Sequence, residues 1–345
     1  MRQSTNSDAV DGKTDRLPPL IDSFGRVHES LRISVTDACN IRCRYCMPET
    51  VSGFLPQNRL LSYSSIARIV SILVRSGISK VRLTGGEPLM RQNLEQLVEQ
   101  LAAIPGLQQI AMTTNAMLLA DKVSSLQDAG LTHVNISLDT LRESAFKQIS
   151  RRDGLDQVLA GIDAAVASKL IVRLNALVLR EINLQDCIPL VEFARDRNLF
   201  IRFIEFMPLD ADRLWSQEQV VNGSELRTHL ETHFGPLASI PRKDPAQPSS
   251  DFGFMDGRGG VGFIDPVSKP FCQSCNRIRL TADGKLRNCL FGREEWDLKV
   301  ACELNATDEA IHEIVSQCIK NKYASHGISS SDFQQPERAM YQIGG

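Results

Sequence analysis

The sequence predicts an α/β protein whose parallel sheet forms a partial, open (β/α)6 TIM-like barrel, followed by a small α+β cap. Six short apolar runs with strand-like composition lie between residues 31 and 207, and an amphipathic stretch separates each run from the next. Glycines follow three of these stretches closely, as they do at helix carboxyl ends. Repeated strand–helix units form parallel sheets with right-handed crossovers, and six units are fewer than the eight that close a full barrel.

The strands and helices of the barrel can be placed in order along the chain. The predicted strands are residues 31–36, 80–84, 108–114, 133–139, 172–179 and 201–207. The predicted helices are residues 63–77, 91–104, 121–130, 154–169 and 186–198, and the glycines that follow helices are Gly77, Gly106 and Gly130. Active sites of such folds lie at the carboxyl ends of the strands. The runs CNIRCRYC (39–46) and TGGEP (84–88) follow the first and second strands, so we expect both at the active site.

The pattern changes after residue 207. A loop rich in Pro, Gly and Ser (241–260) precedes short strands around GFID and RIRLTADGKLRNCL, the latter with an Asp283-Gly284 hairpin turn, and then one helix at about 307–322. The sequence therefore predicts three parts. They are a disordered tail (1–20), the barrel (21–234) and a cap (235–345) that closes the barrel.

The composition is that of an ordinary globular protein, with 345 residues, 42% hydrophobic residues and a net charge of −2. This charge gives no global attraction to nucleic acid or to membranes, and no apolar stretch approaches the roughly 20 residues that span a bilayer. The amino-terminal residues have no apolar core of a secretory signal, so we expect a cytoplasmic protein, either a monomer or a homodimer. Nine cysteines in a reducing compartment indicate metal ligands or catalysts rather than disulfides.

Six of the nine cysteines form two groups of three, whose members are Cys39, Cys43 and Cys46, and Cys272, Cys275 and Cys289. Structural zinc usually takes four ligands in two separated pairs, which the first group does not resemble. A four-iron cluster normally takes four thiolates, so three thiolates leave one iron free to bind another molecule. The second group by itself fits either zinc with a fourth ligand or a second cluster. The isolated Cys187, Cys302 and Cys318 are interpreted as small buried hydrophobic residues.

The spacing CX3CX2C after a first strand resembles the radical S-adenosylmethionine (SAM) superfamily, in which the open iron chelates the amino and carboxylate groups of SAM. The TGGEP run resembles the motif of that superfamily that receives the SAM amino group. The resemblance implies four SAM-binding residues, which are Tyr45, Gly86, Ser137 and Met207.

The second group lies in PFCQSCNRIRLTADGKLRNCLF, and the chain ends in Ile343-Gly344-Gly345. With the first group, these features resemble the GTP 3′,8-cyclase family of molybdenum cofactor biosynthesis, over residues 24–345. The resemblance implies a lyase with two [4Fe-4S] clusters on three cysteines each, the second of which binds the guanine base. It implies that a 5′-deoxyadenosyl radical removes hydrogen from C3′ of GTP and that the resulting radical attacks C8. The implied partners are a one-electron reductant and the cyclic pyranopterin monophosphate synthase that consumes 3′,8-cyclo-7,8-dihydro-GTP.

Arginines occur in the predicted strands where a buried strand should be apolar. A single strand arginine is ordinarily an edge residue with an exposed guanidinium, but several buried cations would cost several kcal/mol each unless they converge on a polyanion such as a triphosphate. The resemblance implies nine GTP-binding residues, which are Arg32, Lys80, Arg82, Thr113, Arg173, Arg202, Arg277, Ile278 and Arg279. Arg173 replaces the usual lysine of the family, and Arg202 has the opposite strand parity to Glu205 and Met207. Gly344 and Gly345 are implied to reach the active site and to be needed for turnover.

Two other functions remain compatible with the two cysteine groups. A radical SAM peptide-modifying enzyme can also carry an auxiliary cluster, but it would typically have more cysteines in its cap and would not need the arginines. A non-catalytic iron–sulfur or zinc protein would not cleave SAM. Formation of 5′-deoxyadenosine by the reconstituted protein distinguishes the enzymes from the binding protein.

Overall fold

A computed structural model describes residues 16–344, whose strands form one mixed sheet with α-helices packed against it. The strands are β1 (Ser30–Ser34), β2 (Lys80–Thr84), β3 (Gln109–Thr114), β4 (His133–Ser137), β5 (Ile171–Val178), β6 (Phe200–Glu205), β7 (Ala238–Ile240), β8 (Ser250–Gly253), β9 (Gly260–Ile264), β10 (Arg277–Leu280), β11 (Lys285–Arg287) and β12 (Trp296–Asp297). The helices are α1 (Tyr63–Arg75), α2 (Leu94–Ala102), α3 (Val123–Asp128), α4 (Glu143–Ser150), α5 (Leu155–Ala167), α6 (Cys187–Asp196), α7 (Gly223–Phe234), α8 (Leu298–Glu303), α9 (Asp308–Lys320) and α10 (Met340–Ile343).

The first six strands are parallel neighbours in chain order, and a helix lies in every connection between them. The α/β class and the six predicted strands are therefore confirmed, with strand ends within two residues of the predicted ones. The connection from β4 to β5 contains two helices, α4 and α5, where the sequence predicted one. Helix α4 has only eight residues, so its apolar pattern is too short to be recognised beside the longer helix that follows.

Local sequence explains why the helices begin and end where they do, and α1 is an example. The Ser62 side chain accepts a hydrogen bond from Ser65 N at 3.1 Å, which satisfies one of the free amides at the helix start. Ile66, Ile69 and Leu73 recur at helical spacing and are buried against the sheet. The helix ends before Gly77, which adopts the left-handed conformation (φ 104°) that glycine accepts most easily.

The carboxyl-terminal third of the chain extends the same sheet at both edges. Strand β10 pairs in parallel with β1, and β9 pairs in parallel with β6, so the order is β12-β11-β10-β1-β2-β3-β4-β5-β6-β9-β8-β7. The predicted hairpin is present between β10 and β11, with Gly284 in its turn at φ 80°. The predicted late helix corresponds to α9. The segment predicted as a cap thus continues the sheet that the amino-terminal residues begin.

The amino-terminal tail was predicted to be disordered through residue 20, and residues 1–15 lie outside the described residues. Leu17 N donates to Arg75 O at 3.2 Å, and His312 Nε2 lies 3.0 Å from Pro18 O. The side chain of Leu20 is buried in the core. The packed part of the chain therefore begins a few residues before the predicted boundary.

The remaining sequence expectations concern membranes and the isolated cysteines. Among the helices of residues 16–344, none has the length and apolar character needed to cross a membrane. Cys187 and Cys318 are fully buried in the core, whereas Cys302 is half-buried beside it. The three therefore pack as apolar residues, as predicted.

Candidate active site

A cavity of about 450 Å³ lies against one face of the parallel strands, and residues of all six strands line it. The lining residues of the strands are Ser30 and Arg32 on β1, Lys80, Val81, Arg82 and Thr84 on β2, Gln109, Ala111, Thr113 and Thr114 on β3, Asn135 and Ser137 on β4, Arg173, Asn175 and Leu177 on β5, and Arg202 and Ile204 on β6. Most of the intervening residues, such as Leu31, Met112 and Ile201, face the hydrophobic core, as the two-residue repeat of a strand requires.

The first cysteine group lies at the carboxyl ends of the strands, in the loop that follows β1, and all three thiols line the cavity. The main chain of this loop is held by α4, because Arg42 N donates to Ser150 O at 2.8 Å and Arg44 N donates to Ile149 O at 3.0 Å. The loop also turns on itself through a hydrogen bond of 2.9 Å from Cys46 N to Cys43 O. The helix that the sequence analysis missed therefore positions the first cysteine group.

The environment of the three thiols fits a shared iron–sulfur cluster. Burial raises the pKa of Cys39 to about 11, and it also raises the pKa of Cys43 and Cys46 well above the ordinary value. The neighbouring thiols add to this increase at Cys43, so the three sulfur atoms face a common region. Within residues 16–344, no group of three His, Cys, Asp or Glu side chains could hold a single metal ion. The convergence of three thiols on one region fits a cluster that is held by cysteine thiolates.

Two predicted SAM-binding residues, Tyr45 and Ser137, lie beside a buried carboxylate that the sequence analysis did not select. Tyr45 Oη donates to Asp139 Oδ2 at 2.7 Å, and Leu177 N donates to Asp139 Oδ1 at 2.8 Å. Burial raises the pKa of Asp139 to about 6, although both hydrogen bonds act in the opposite direction. Ser137, two residues earlier on β4, lines the same region, and so does Met207 after β6. These side chains offer both polar and apolar contacts to a ligand next to the cysteines.

The glycines of TGGEP are required by close packing of the main chain. A Cβ atom on Gly86 would lie 2.3 Å from Ala38 O, and one on Gly85 would lie 2.4 Å from Thr36 O. Gly86 N donates to Thr36 O at 2.8 Å, which links this run to the segment before Cys39. The resemblance stated above assigned this run to the SAM amino group. The structure shows that the closest neighbours are the chain's own carbonyl groups, and Gly86 lines the cavity as well.

Glu87, the acidic residue of TGGEP, anchors the end of β3. Its carboxylate accepts hydrogen bonds from Leu89 N at 3.0 Å, from Thr114 Oγ1 at 2.7 Å and from Asn115 N at 2.7 Å. The Asn115 side chain in turn donates to Asn40 Oδ1 at 2.7 Å and to Cys39 Sγ at 3.8 Å. Burial raises the pKa of Glu87 to about 7. One buried carboxylate thus connects TGGEP, β3 and the cysteine loop.

A cluster of cations occupies the part of the cavity near the amino ends of the strands. Arg32 and Arg82 are direct neighbours across β1 and β2, and Arg279 stands beside Arg32 on β10. Burial, together with repulsion from neighbouring arginines, lowers the pKa of all three, to about 10 for Arg82 and Arg279. On Arg277, the buried Nε and Nη2 atoms have no hydrogen-bond partner among residues 16–344. Guanidinium groups that converge on a cavity with some donor atoms unsatisfied fit a polyanionic ligand.

The other predicted GTP-binding residues divide into two groups. Thr113, Arg173 and Arg202 line the cavity with Lys80. Arg202 faces the cavity while Glu205 faces away, and Met207 faces it again because the strand ends at residue 205, which resolves the parity conflict. Ile278 differs, because its side chain is buried in the hydrophobic core on the opposite face of β10. Only the main chain of Ile278 is therefore available to a ligand in the cavity.

The second cysteine group lies at the opposite end of the sheet from the first. Cys275 lies two residues before Arg277, the first residue of β10, which is level with Ser30 at the start of β1, whereas the first group follows the end of β1. A five-residue strand is about 17 Å long, which gives the scale of the separation. The thiols of the second group do not line the cavity, but Phe271, Asn276 and Leu290 beside them do.

Two buried cations contact the second cysteine group. Lys322 Nζ lies 3.6 Å from Cys275 Sγ and donates to Arg277 O at 2.7 Å. Burial alone would raise the pKa of Cys275, but Arg277 and Lys322 lower it to about 6. Arg26 Nη1 donates to Cys272 O at 2.7 Å and so holds the loop of this group. The sequence analysis did not select Lys322 or Arg26, since neither lies near a motif in the sequence.

The end of the chain approaches the cavity beside the arginines. Tyr341 lines the cavity and Ile343 is fully buried, so α10 is anchored against the sheet. Gly344 O accepts a hydrogen bond from Arg279 Nη1. A Cβ atom on Gly344 would lie 2.9 Å from Thr84 Cγ2, and its φ of 83° also favours glycine. Gly345 lies outside the described residues.

Comparisons with known protein families agree with this arrangement of cysteines and cations. The family model described as Radical SAM superfamily matches residues 33–194, and the one described as Molybdenum Cofactor Synthesis C matches residues 199–328. A curated Rhodopirellula baltica protein named GTP 3′,8-cyclase is 47% identical over 94% of this chain and 92% of its own length. The protein of the same name from Rhodococcus opacus is 42% identical over 94% and 93%. The mitochondrial GTP 3′,8-cyclase of Arabidopsis thaliana is 39% identical over 94% and 83%.

Solved structures show a similar fold at low sequence identity. SuiB of Streptococcus suis bound to S-adenosylmethionine has a TM-score of 0.61 at 13% identity, over 89% of this chain and 67% of that chain. The anSMEcpe structure with bound AdoMet has a TM-score of 0.56 at 14% identity, over 90% and 93%. The fold and the three-cysteine loop define the class as a radical SAM protein. With 47% identity to a curated relative over nearly its whole length, the chain belongs to the GTP 3′,8-cyclase family.

Proposed function

We propose that the protein converts GTP to 3′,8-cyclo-7,8-dihydro-GTP, the first step of molybdenum cofactor biosynthesis. The observation that carries this proposal is the single cavity, which joins a loop of three thiols to a cluster of cations. The thiols suit a cluster that binds SAM, and the cations suit a triphosphate. Membership of the GTP 3′,8-cyclase family identifies the nucleotide.

The sheet, in this proposal, is curved into a partial, open (β/α)6 barrel that the carboxyl-terminal segment closes. An ion pair of 2.6 Å joins Lys80 on β2 to Asp244 in the loop before β8. These two strands are six positions apart in the sheet order, roughly 29 Å if the sheet were flat. Repulsion from Arg202 on β6 also lowers the pKa of Arg82 on β2. Such proximity across the sheet supports strong curvature.

SAM is proposed to bind at the carboxyl ends of the strands, next to an iron–sulfur cluster on Cys39, Cys43 and Cys46. An iron–sulfur cluster held there would supply, together with SAM, the one-electron chemistry that removes hydrogen from the substrate. The protein residues proposed to contact SAM are Tyr45, Gly86, Ser137 and Met207, all of which line the cavity. They orient the ligand and exclude water from it, which is the protein's contribution when a cofactor supplies the reactive group.

GTP is proposed to bind with its phosphates at the cation cluster and its base toward the second cysteine group. The side chains proposed to bind it are Arg32, Lys80, Arg82, Thr113, Arg173, Arg202, Arg277 and Arg279, with Ile278 contributing only its main chain. A second [4Fe-4S] cluster on Cys272, Cys275 and Cys289 would then lie beside the guanine. The mutual electrostatic influence of these thiols on the pKa of Cys272 supports a shared site.

The partners proposed for this reaction follow from its chemistry. A one-electron reductant must supply the electron for SAM cleavage, and a cyclic pyranopterin monophosphate synthase must consume the product. Thiol ligands of iron need a reducing compartment, so the proposed location is the cytoplasm. The proposed oligomeric state is a monomer or a homodimer.

Anaerobic incubation of the reconstituted protein with SAM, dithionite and each of the four nucleoside triphosphates tests the proposal. We expect 5′-deoxyadenosine and a cyclised product with GTP alone. Cys43→Ala should abolish both products, whereas Cys275→Ala should retain some SAM cleavage without a GTP product. Cys187→Ala is the matched control, because this thiol is buried in the core away from the cavity. Equal turnover of all four nucleotides, or of none, would contradict the proposed substrate.

A further inference from the structure

The loop between β7 and β8 (residues 241–249) closes the amino-terminal end of the cavity. Ala246, Gln247 and Pro248 line the cavity from this loop, together with the carboxylate of Asp244. Asp244 Oδ2 lies 2.6 Å from Lys80 Nζ, and Lys80 is one of the cations assigned above to the phosphates. The chain therefore places its own anion where a ligand phosphate is expected.

A second carboxylate from the same region, Asp251, pairs with Arg202 Nη2 at 3.2 Å, but it is held much more firmly. Its Oδ2 accepts from Gln247 Nε2 at 2.8 Å, its Oδ1 accepts from the Ser249 hydroxyl, and only 13% of its side chain is exposed. Asp244 is 37% exposed, and Ala246 N, at 2.9 Å, is its other hydrogen-bond donor. Breaking the ion pair of Asp244 with Lys80 therefore costs less free energy than breaking the ion pair of Asp251 with Arg202.

We propose that Asp244 is a displaceable counter-ion of Lys80 that sets how much phosphate charge a ligand needs in order to bind. In the free protein the carboxylate neutralises Lys80, and an arriving polyphosphate must replace it. The exchange costs free energy, so Asp244 lowers the affinity for a ligand whose phosphate reaches Lys80 and leaves the affinity for a ligand without phosphates unchanged. This inference rests on the proposed function, because it assigns the phosphates to the cations of the cavity.

The charge balance around the cavity agrees with this role. Arg277 has buried donor atoms without partners, and Arg82 Nη1 contacts only the Thr113 hydroxyl at 3.4 Å among the described residues. Arg277 also interacts electrostatically with Asp244, so this carboxylate lies close to the cation cluster of the cavity. Removing one negative charge from the edge of such a cluster strengthens the attraction for any polyanion that reaches it.

Equilibrium binding of GTP and of inorganic tripolyphosphate to the holoenzyme tests the proposal. Asp244→Asn should lower the dissociation constants of both by about three- to tenfold, the range for a partly exposed ion pair. Affinities for guanosine and for SAM should not change. Asp256→Asn is the matched control, because Asp256 forms an ion pair of 2.7 Å with Arg195 and does not line the cavity.

A double-mutant cycle shows whether the effect acts through Lys80. In the Lys80→Met background, Asp244→Asn should improve tripolyphosphate binding less than in wild type, because the competing pair is already absent. Unchanged or weaker tripolyphosphate binding by both Asp244→Asn and Asp244→Ser would overturn the proposal. Binding of tripolyphosphate without GTP would overturn the proposed substrate and not the role of Asp244. Failure of wild type to bind either probe would overturn both.

Discussion

At the scale of the residue, Glu87 joins three segments of chain through one buried carboxylate. All its described partners are donors, with Leu89 N, Thr114 Oγ1 and Asn115 N at 3.0, 2.7 and 2.7 Å. These hydrogen bonds favour the charged form, but burial outweighs them and raises the pKa to about 7 from an ordinary 4.5. The carboxylate therefore costs stability when it is ionised, although it orders the loop that carries Cys39.

This cost predicts a pH dependence of stability. Between pH 4.5 and 7 the folded protein binds more protons at Glu87 than the unfolded chain does, so this group's contribution to stability decreases as the pH rises. Above pH 7 the loss of stability reaches its full value, about 3 kcal/mol for a pKa shift of this size. Glu87→Gln is neutral at every pH. The free energy of unfolding in urea of wild type relative to Glu87→Gln should therefore fall from pH 5 to pH 8, and parallel pH curves would contradict the prediction.

Residue type alone predicted the cysteine groups and the strand arginines of the site, but it did not predict Asp244 and Lys322. Cysteines at fixed spacing and arginines inside strands are unusual in any globular sequence, so they indicate a function before the fold is known. Asp244 and Lys322 are ordinary surface-type residues in the sequence. Their importance depends on which loop packs against which strand, and the sequence pattern does not contain that information.

At the scale of the element, α10 carries the end of the chain to the cavity. Tyr341 and Ile343 are buried, and Gly344 fits between the side chains of Ser34 and Thr84. Terminal residues are usually poorly ordered unless they are tied down, and here Arg279 holds the carbonyl of Gly344. The predicted catalytic role of Gly344 and Gly345 stays a prediction, which this position makes testable.

Deletion of Gly344 and Gly345 should leave folding and iron content intact but nearly stop GTP cyclisation. The anchoring residues of α10 remain in place, while Arg279 loses its carbonyl partner beside the proposed phosphate site. Iron and sulfide analysis, the melting temperature and product formation by chromatography measure the three properties. Gly253→Ala is a suitable control for a glycine change, because its Cβ would meet Ile240 Cδ1 at an ordinary 3.7 Å. Full activity of the truncated protein would mean that the tail is merely a packed terminus.

At the scale of the whole molecule, one sheet crosses the predicted boundary between barrel and cap. The order of the six parallel strands followed from the alternation of strands and helices, which is a local pattern. The pairing of β10 with β1 and of β9 with β6 joins segments that are far apart in the sequence. The strands β9 and β10 have only five and four residues, and no local signal specifies their partners. The matched families also divide at residues 194–199, before β6, rather than at residue 235.

This continuity predicts that residues 1–234 do not fold by themselves. Without the carboxyl-terminal third, β1 and β6 become exposed edges of a parallel sheet, which promote association with other chains. Helix α1 also loses the ion pairs that join Arg68 and Arg75 to Asp308 at 3.0 and 2.6 Å. We expect the fragment to elute from size exclusion as aggregates and to lack a cooperative urea transition, whereas the cluster-free full-length chain remains a discrete species. Addition of residues 235–345 in trans should recover soluble material if the missing edges are the cause. A monomeric fragment with a sharp unfolding transition would instead establish that the predicted barrel folds independently of the cap.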